Sequence, residues 1–572
     1  MRKLTWPALL AFLLVLTLGV VACTTGGSTT DTPAATEESA AEEPVAEEPA
    51  ADGGRKIATF IWTQEFDSLS PMYTAMWFTS TTYQLWNVRA WHFDENNDVI
   101  PILVTEIPSE DNGGISEDGL TLTFKLRDDI VWSDGTPVTS DDFVFTYNMF
   151  VDPANTVNST YPYDQIASID NPDPQTVVVT FDEPFAPWLS WMWQSILPSH
   201  VLQPVFDEAG TLDEAEWNLA PTVGIGPYRF AEWESGSFAR FVRNENWHGD
   251  SPNIDEIFIR FVPDDASQVA ALQNGEGDLG TFIAYSDVPA LQNAGINIMT
   301  QPSGYNEGWF FFIGDDLVPG HPALQDVRVR QAIAMAIDRD TMNQDLLLGL
   351  TNTPISYWDS LPDYVSPDIE SYTYDPEQAN GLLDEAGWVD TNGDGVRDKD
   401  GVELILVHGT TTRETRQDSQ AVAQQQLAEV GIRLEIQNYD SSVFFASYGS
   451  DGPSYNGELD IMQWSDASSY PDPDWYYWLC SEIPTDDYPD GGNAQRICNE
   501  ELDALFQLQL TQTDPAERKQ TFHQITKIMH DEVYWLGLWQ DPDVWAVGPR
   551  LQNVRFAGPT PLFSITEWDI SD

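Results

Sequence analysis

The stretch of residues 120–147, LTLTFKLRDDIVWSDGTPVTSDDFVFTY, decides which fold is expected of this chain. Apolar and polar residues alternate at its start, which is the pattern of a half-buried strand. Asp134 and Gly135 then supply a turn, because both residue types tolerate unusual backbone angles. Thr139 or Ser140 is placed to cap a helix that carries the aromatic residues at the end of the stretch. The sequence therefore predicts a strand, a turn and a capped helix in succession.

Helix and strand patterns alternate more regularly in the second half of the chain. Asp326 is placed to cap one helix, and Asp375 begins another helix that Gly387 would end. A helix over 414–430 leads directly into a short apolar strand, and Asp514 is placed to cap a further helix. Helices that feed strands in this way indicate an α/β fold.

The first residues have the pattern of an export signal. A charged start is followed by an apolar run, Trp6 to Val21, that is short for a membrane span. Val-Val-Ala-Cys at 20–23 resembles a bacterial lipobox, which predicts a signal peptide over 1–22 and a lipid on Cys23. An ordinary signal peptide or an uncut anchor are the alternatives. Residues 23–54 lack aromatic side chains, so we expect an acidic, disordered tether.

The formal net charge of −67 is extreme for 572 residues. Such a chain repels phosphates, so the composition excludes nucleic acid as a partner. Two explanations of the charge stay open: an acidic surface suited to the surroundings of an exported protein, or a preference for a cationic ligand. The sequence has no nucleophile elbow, zinc-protease motif or phosphate-binding loop, so no enzyme is predicted.

Four segments in order resemble one family. They are the block at 120–147, GIGPYRF at 224–230, DVRVRQAIAMAIDRD at 326–340 and LLDEAGW at 382–388. Each is similar to a motif of the extracytoplasmic solute-binding proteins, family 5, which deliver dipeptides, oligopeptides, nickel and some sugars to ABC importers. The resemblance implies an α/β, two-lobed periplasmic-binding-protein fold (type II, cluster C) with an additional inserted domain.

The resemblance also implies a division of the chain into domains. Lobe I would comprise residues 55–90, 223–305 and 536–572, the inserted domain 91–222, and lobe II 306–535. The ligand would lie between the lobes, and the chain would cross from one lobe to the other near 305 and 535.

The function implied is capture of a solute, with an oligopeptide as the leading expectation, and its delivery to a permease with separate ATPases. The protein would be a monomer, exported and held by its lipid at the outer face of the cytoplasmic membrane. An oligosaccharide-binding member of the same family, or a ligand sensor on the same fold, are the alternatives. No cofactor is required by this function.

Loop positions of three kinds are candidates for the ligand site. By resemblance, an acidic loop after the first strand contacts the ligand backbone, an aspartate in lobe II pairs with an ammonium group, and aromatic residues form walls. In the same family, binders of short peptides often carry an arginine in this region that holds the carboxyl terminus of the ligand. Residues 459–463, LDIMQ, contain none, which puts free dipeptides and tripeptides in doubt. The predicted ligand-binding residues are Glu65, Phe66, Asp67, Trp309, Tyr439, Trp464 and Asp466.

Two further features concern stability. Cys480 and Cys498 remain after Cys23 is lipidated, and in an exported chain their spacing predicts a disulfide. A loop with oxygen-bearing side chains at alternate positions resembles a calcium loop, although Gly401 stands where a bidentate Glu is expected. A structural calcium and a metal-free turn both stay open. The predicted calcium ligands are Asp390, Asn392, Asp394 and Asp398.

Overall fold

The computed structural model of the protein describes residues 54–74, 76–467, 472–473, 475–489 and 491–571. The predicted signal peptide, the lipidation site at Cys23 and the tether up to residue 53 lie outside the described residues. In the described ranges, no helix is both long enough and apolar enough to cross a membrane.

Strands and helices are interspersed along the described chain. In chain order, the strands are β1 (Ile57–Trp62), β2 (Trp91–Phe93), β3 (Val99–Pro101), β4 (Thr121–Lys125), β5 (Ile166–Asp173), β6 (Thr176–Phe181), β7 (Tyr228–Glu234), β8 (Phe238–Arg243), β9 (Glu256–Phe261), β10 (Leu279–Thr281), β11 (Asn297–Phe311), β12 (Asp398–Lys399), β13 (Val402–Glu403), β14 (Ile405–Thr411), β15 (Arg433–Tyr439), β16 (Ile461–Ala467), β17 (Trp535–Val547), β18 (Leu551–Gln552) and β19 (Asp569–Ile570). The helices are α1 (Trp77–Trp86), α2 (Ser140–Val151), α3 (Trp188–Trp191), α4 (Ser199–Ala209), α5 (Asp265–Asn274), α6 (Val288–Asn293), α7 (Val327–Ala336), α8 (Arg339–Leu346), α9 (Pro376–Glu385), α10 (Glu414–Glu429), α11 (Ser441–Phe444), α12 (Glu500–Leu510) and α13 (Pro515–Asp531).

One mixed sheet of ten strands connects the two halves of the molecule, in the order β15-β14-β16-β11-β17-β10-β1-β9-β8-β7. β1 pairs in parallel with β9 and β10, and β14 pairs in parallel with β15 and β16. The long strands β11 and β17 lie antiparallel at the centre of the sheet. A separate antiparallel sheet, β4-β6-β5, belongs to the segment that follows α1.

The stretch that decides the fold adopts the predicted structure. β4 ends before the turn at Gly135, whose φ of 87° is the left-handed conformation expected of a turn glycine. Thr139 is the N-cap of α2 and forms a capping box with Asp142. These contacts confirm the strand, turn and capped helix that the sequence predicts.

The predicted helix starts in the second half are confirmed as well. Asp326, Asp375 and Asp514 are the N-caps of α7, α9 and α13, and each side chain accepts a hydrogen bond from a backbone N–H of the first turn. Gly387, with a φ of 83°, follows the end of α9.

The apolar side chains form cores on either side of the centre of the sheet. One core takes residues from β1 through β9, including the inserted segment, together with the end of β17 and the residues after it. Two adjoining cores take residues between Trp309 and Trp539. Leu536 and Trp539, at the start of β17, pack in the second group, whereas Trp545 packs in the first. The strand β17 therefore contributes residues to both groups of cores, and the predicted domain boundaries stay predictions.

Cys480 and Cys498 are joined by a disulfide that closes a loop with a sequence separation of 18. The backbone N–H of Cys480 also donates a hydrogen bond to Asp503 in α12, at 2.8 Å. The neighbouring side chains of Leu479 and Ile497 are buried in one of the two cores that extend between Trp309 and Trp539.

Candidate functional site

A cavity of about 1240 Å³ lies where β11 and β17 pass from one group of cores to the other. Its walls come from α1 and the segment after β10 on one side, and from the start of α10 on the other. The register between β11 and β17 is interrupted between Pro302 and Asn306, and the residues of this interruption line the cavity floor. This volume exceeds the range of about 300–1,000 Å³ usual for small-molecule pockets.

Aromatic side chains form part of the cavity wall. Phe282 is 49% exposed and Tyr305 is 48% exposed, although both are large apolar groups. Trp77 packs edge-on against Phe282, with 4.9 Å between the ring centroids. Phe282 also has a φ of 56°, a backbone conformation that is costly for a residue with a side chain and that clusters at functional sites. The wall therefore offers apolar surface that the protein itself does not cover.

Two carboxylates of β17 line the floor of the cavity. Asp541 accepts hydrogen bonds from Arg413 at 3.4 Å, from the indole N–H of Trp539 at 3.0 Å and from the hydroxyl of Ser465. Burial, together with the negative charge of Asp541, raises the pKa of Asp543 to about 7. The floor therefore carries a carboxylate that a cationic group of a ligand would stabilise in its charged form.

A buried ion pair supports this floor from below. Glu307 of β11 is fully buried and accepts two hydrogen bonds of 2.8 Å from the guanidinium of Arg416. Gln463 donates a third hydrogen bond to the same carboxylate at 3.0 Å. Burial raises the pKa of Glu307, and the charge of Arg416 opposes that shift. The network holds Arg416 in the first turn of α10, and Arg413, the N-cap residue of that helix, reaches Asp541.

The structure does not place the predicted loop residues in this cavity. Glu65 accepts hydrogen bonds from the indole N–H of Trp233 at 2.9 Å and from the backbone N–H of Gly236 at 2.8 Å. Phe66 is 5% exposed and belongs to the first core. Asp67 accepts hydrogen bonds from the loop that follows it, among them one from Ser68 N–H at 2.8 Å. These three side chains stabilise the loop after β1 and anchor it to the β7–β8 hairpin.

Trp309 is a correction to the prediction. It is fully buried and donates its indole N–H to Gln463 at 3.1 Å. β11 is a central strand with a core on each face, since Trp309 and Phe310 belong to different core clusters. An aromatic residue on such a strand is buried whichever face it occupies, so Trp309 is a core residue and not a wall of the cavity.

Two of the remaining predicted residues, Tyr439 and Trp464, pack against one of the cores that extend between Trp309 and Trp539. Trp464 stacks on Phe310 with 3.8 Å between the ring centroids, and its indole N–H donates to Asp466 at 3.5 Å. Asp466 follows the cavity-lining Ser465 along β16 and lies opposite Asn306 of β11 in the sheet, and it is not itself among the lining residues. Tyr439, at the end of β15, is half-buried and approaches the aromatic cluster around Trp464. The role of these residues in binding stays a prediction.

The calcium-like loop satisfies its own oxygen atoms. Asp390 accepts hydrogen bonds from the backbone N–H groups of Gly393 and Gly395, and Asp398 accepts from Thr391. The side chains of Asn392 and Asp394 are joined to each other and to nearby backbone N–H groups. Among the described residues, no group of three His, Cys, Asp or Glu side chains has the arrangement of a metal site. The structural calcium stays a prediction.

None of the cavity-lining residues was found from the sequence, among them Phe282, Arg413 and Asp543. A signal existed for Phe282, because it directly follows β10, and ligands of open α/β sheets bind beyond the carboxyl ends of the strands. No comparable signal existed for Asp543, since the sequence contains 92 acidic residues and only the fold selects among them.

The sequence is similar to known proteins over most of its length. Residues 98–483 match the family model described as bacterial extracellular solute-binding proteins, family 5 Middle. The oligopeptide-binding protein AppA of Bacillus subtilis is 26% identical over 468 residues, which cover 79% of this chain and 81% of that protein. The oligopeptide-binding protein OppA of Mycobacterium bovis is 29% identical over 461 residues, which cover 77% of this chain and 72% of that protein.

The fold is similar to solved structures as well. The structure of B. subtilis AppA in complex with a nonapeptide has a TM-score of 0.65 at 22% identity, covering 91% of this chain and 100% of that chain. The substrate-binding protein CtaP from Listeria monocytogenes has a TM-score of 0.73 at 22% identity, with the same coverage. These similarities confirm the predicted α/β, two-lobed fold. Because the family model spans more than half of the sequence, the chain belongs to the bacterial extracellular solute-binding proteins of family 5.

Proposed function

We propose that this protein is the peptide-binding component of an ABC importer. It captures an oligopeptide in the cavity between its two lobes and delivers it to a permease that separate ATPases drive. The lipid on Cys23 holds it at the outer face of the cytoplasmic membrane, and the segment up to residue 54 is the tether.

One observation carries the proposal: a large cavity at the crossing strands combines exposed aromatic surface with charged groups of both signs. Five carboxylates and the guanidinium groups of Arg89 and Arg413 line it. A peptide presents apolar side chains, an ammonium group and a carboxylate, and each of these has a complementary group on the wall. The relatives AppA and OppA, whose names describe oligopeptide binding, support the same ligand class.

Ligand binding would favour the conformation in which both lobes contact the peptide. A ligand shifts such an equilibrium only by its difference in affinity for the two conformations. The peptide would contact Phe282 on one wall, Tyr305 in the floor and Arg413 on the opposite wall. These contacts would exist together only when the lobes are closed. The permease would then recognise the closed form.

Asp466 is proposed to pair with the amino terminus of the peptide, beside the carboxylates of β17. N-acetylation of the peptide removes the positive charge and would weaken binding to the wild-type protein. In the Asp466→Asn variant, the difference in affinity between acetylated and free peptides would be smaller than in the wild-type protein. An unchanged preference for the free amino terminus in that variant would contradict the role of Asp466.

The function is tested by thermal unfolding of the purified protein in the presence of oligopeptides and, separately, oligosaccharides. A ligand present at 100 times its dissociation constant stabilises the protein by about 2.7 kcal/mol, which raises the melting temperature measurably. We expect stabilisation by peptides and none by sugars. Stabilisation by oligosaccharides alone would replace peptide by carbohydrate as the ligand, with the aromatic wall stacking on sugar rings.

A further inference from the structure

Arg89 lies in the loop between α1 and β2 and lines the same cavity as Asp541 and Asp543. Its side chain forms no hydrogen bond or ion pair with another residue in the part of the chain that the structure describes. Burial lowers the pKa of Arg89 to about 10, and no carboxylate opposes that shift. An unpaired guanidinium that is partly buried is costly, and a partner removes that cost.

A second cavity, of about 320 Å³, opens next to Arg89. It shares Ser80, Gln84, Arg89 and Trp191 with the large cavity, so the two cavities adjoin at these residues. None of the residues that line this side cavity is an Asp or a Glu, in a chain that contains 92 of them. Arg89 is the charged residue of this lining, and the rest of the polar groups are hydroxyls and carboxamides.

The side cavity also contains an unused hydrogen-bonding group. The hydroxyl of Tyr83 is shielded from solvent and has no hydrogen-bond partner within the described residues. Buried polar groups without a partner are rare, and Tyr83 is one of the residues that line this cavity. The phenol O–H can donate to the same anionic oxygen atoms that a guanidinium binds.

The two adjoining cavities therefore differ in the charge of their linings: five carboxylates line the large cavity, and none lines the side cavity. The floor, with Asp541 and Asp543, favours a cationic group, and the end at Arg89 lacks acidic residues. The strong negative charge of the chain repels an anionic ligand group everywhere except where a guanidinium compensates it. A free peptide has its two opposite charges at its two ends.

We propose that Arg89, with the hydroxyl of Tyr83, binds the terminal carboxylate of the peptide ligand and so fixes the direction in which the peptide lies. The inference rests on the proposed peptide-binding function and adds a specificity-determining residue to it. The amino terminus then points toward the acidic floor at β17, and the last residue of the peptide lies at the mouth of the side cavity. Peptides with a blocked carboxyl end are poor ligands.

The test compares two synthetic hexapeptide pools that contain no Asp or Glu, one with free carboxyl ends and one with carboxamide ends. Affinities are measured by isothermal titration with the wild-type protein. A charge-assisted contact predicts that the free-acid pool binds about tenfold more tightly, or more. This comparison needs no variant, so a folding defect cannot obscure it.

The variant Arg89→Gln should bind both pools equally, at the affinity that the wild-type protein has for the amide pool. Arg89→Lys should retain part of the preference, because lysine keeps the charge without the two-pronged geometry. The matched control is Arg229→Gln, which removes the same charge from an exposed position on β7 and should keep the full preference.

The outcomes separate this inference from the function on which it rests. If the wild-type protein binds both pools with equal affinity, or if Arg89→Gln keeps the preference for the free acid, the role of Arg89 is overturned and peptide binding stands. If neither pool binds, the peptide-binding function and the role of Arg89 are overturned together.

Discussion

Arg413 contacts Asp541 at 3.4 Å, whereas Asp543, on the same strand, has no ion pair among the residues that the structure describes. Both carboxylates line the cavity at the crossing of the two central strands. The floor thus presents one carboxylate whose charge is compensated within the protein and one whose charge is not. The two carboxylates should therefore affect the stability of the protein differently when they ionise.

Replacing Asp543 by Asn should stabilise the ligand-free protein at alkaline pH. Burial raises the pKa of this carboxyl from 3.8 to about 7, so the stability that its neutral form provides is present below pH 3.8 and lost as the pH rises through about 7. Asn cannot ionise and avoids that loss. At pH 8 we expect the free energy of unfolding of Asp543→Asn to be about 4 kcal/mol higher than that of the wild type, and at pH 3.5 this difference should vanish.

Urea unfolding at the two pH values measures this effect. The control variant Asp250→Asn removes a carboxylate from an exposed position. If Asp543→Asn and the wild type differ in free energy of unfolding by the same amount at pH 3.5 and at pH 8, Asp543 does not titrate as its surroundings imply.

Removing the carboxylate of Glu307 should strongly destabilise the protein. Glu307→Gln leaves the guanidinium of Arg416 buried next to a neutral amide, and breaking a buried pair in this way costs about 3–5 kcal/mol. The double variant Glu307→Met, Arg416→Met should lose less than the single variant, since no charge is left unpaired.

Chemical denaturation of the single and double variants checks this prediction. Glu232→Gln provides the comparison, because Glu232 pairs with Arg240 at a side-chain exposure of 51% and its loss should cost less than about 1 kcal/mol. Equal losses for Glu307→Gln and Glu232→Gln would contradict the supporting role of the buried network.

The disulfide should contribute about 3 kcal/mol to the free energy of unfolding, as the loop-entropy relation gives for a loop of this length. A reducing agent should therefore lower the melting temperature of the wild-type protein. The variant with Cys480→Ala and Cys498→Ala should melt at the lower temperature with or without the reducing agent. A wild-type protein that is insensitive to full reduction would contradict the prediction.

Phe282→Gly should weaken peptide binding without lowering the stability of the ligand-free protein. The variant removes exposed aromatic surface from the cavity wall and relieves a φ of 56°, which glycine adopts freely. Loss of an aromatic anchor typically costs about 2 kcal/mol of binding, or roughly 30-fold in affinity.

Leu348→Gly is a close control for this experiment, because Leu348 also has a φ of 56°, is 42% exposed and does not line the cavity. Its substitution should leave the affinity unchanged. Equal affinities of Phe282→Gly and the wild-type protein would exclude Phe282 from the binding surface.

Local signals predicted the fold, and distant contacts determine the site. The capping box at Thr139 and the N-caps at Asp326 and Asp375 depend on residues within one turn, so they are visible in the sequence. Glu65 also has a local pattern, but its partner Trp233 lies 168 residues away, and only the fold shows that the carboxylate is already used.

The cavity itself is assembled from segments that are far apart in the chain. Arg89, Phe282, Arg413 and Asp543 meet because β11 and β17 bring the lobes together, and no periodicity relates these residues to one another. Burial of Trp309 has the same origin, since a central strand covered on both faces is recognised only when both cores are known. Sequence patterns could therefore indicate the kind of site but not its residues.

Native mass spectrometry of the protein purified without added ligand would identify what the cavity binds. We expect bound species of several masses that fragment as peptides with free carboxyl ends. A bound species that fragments as an oligosaccharide would contradict the claim that the cavity at the crossing strands is a peptide site.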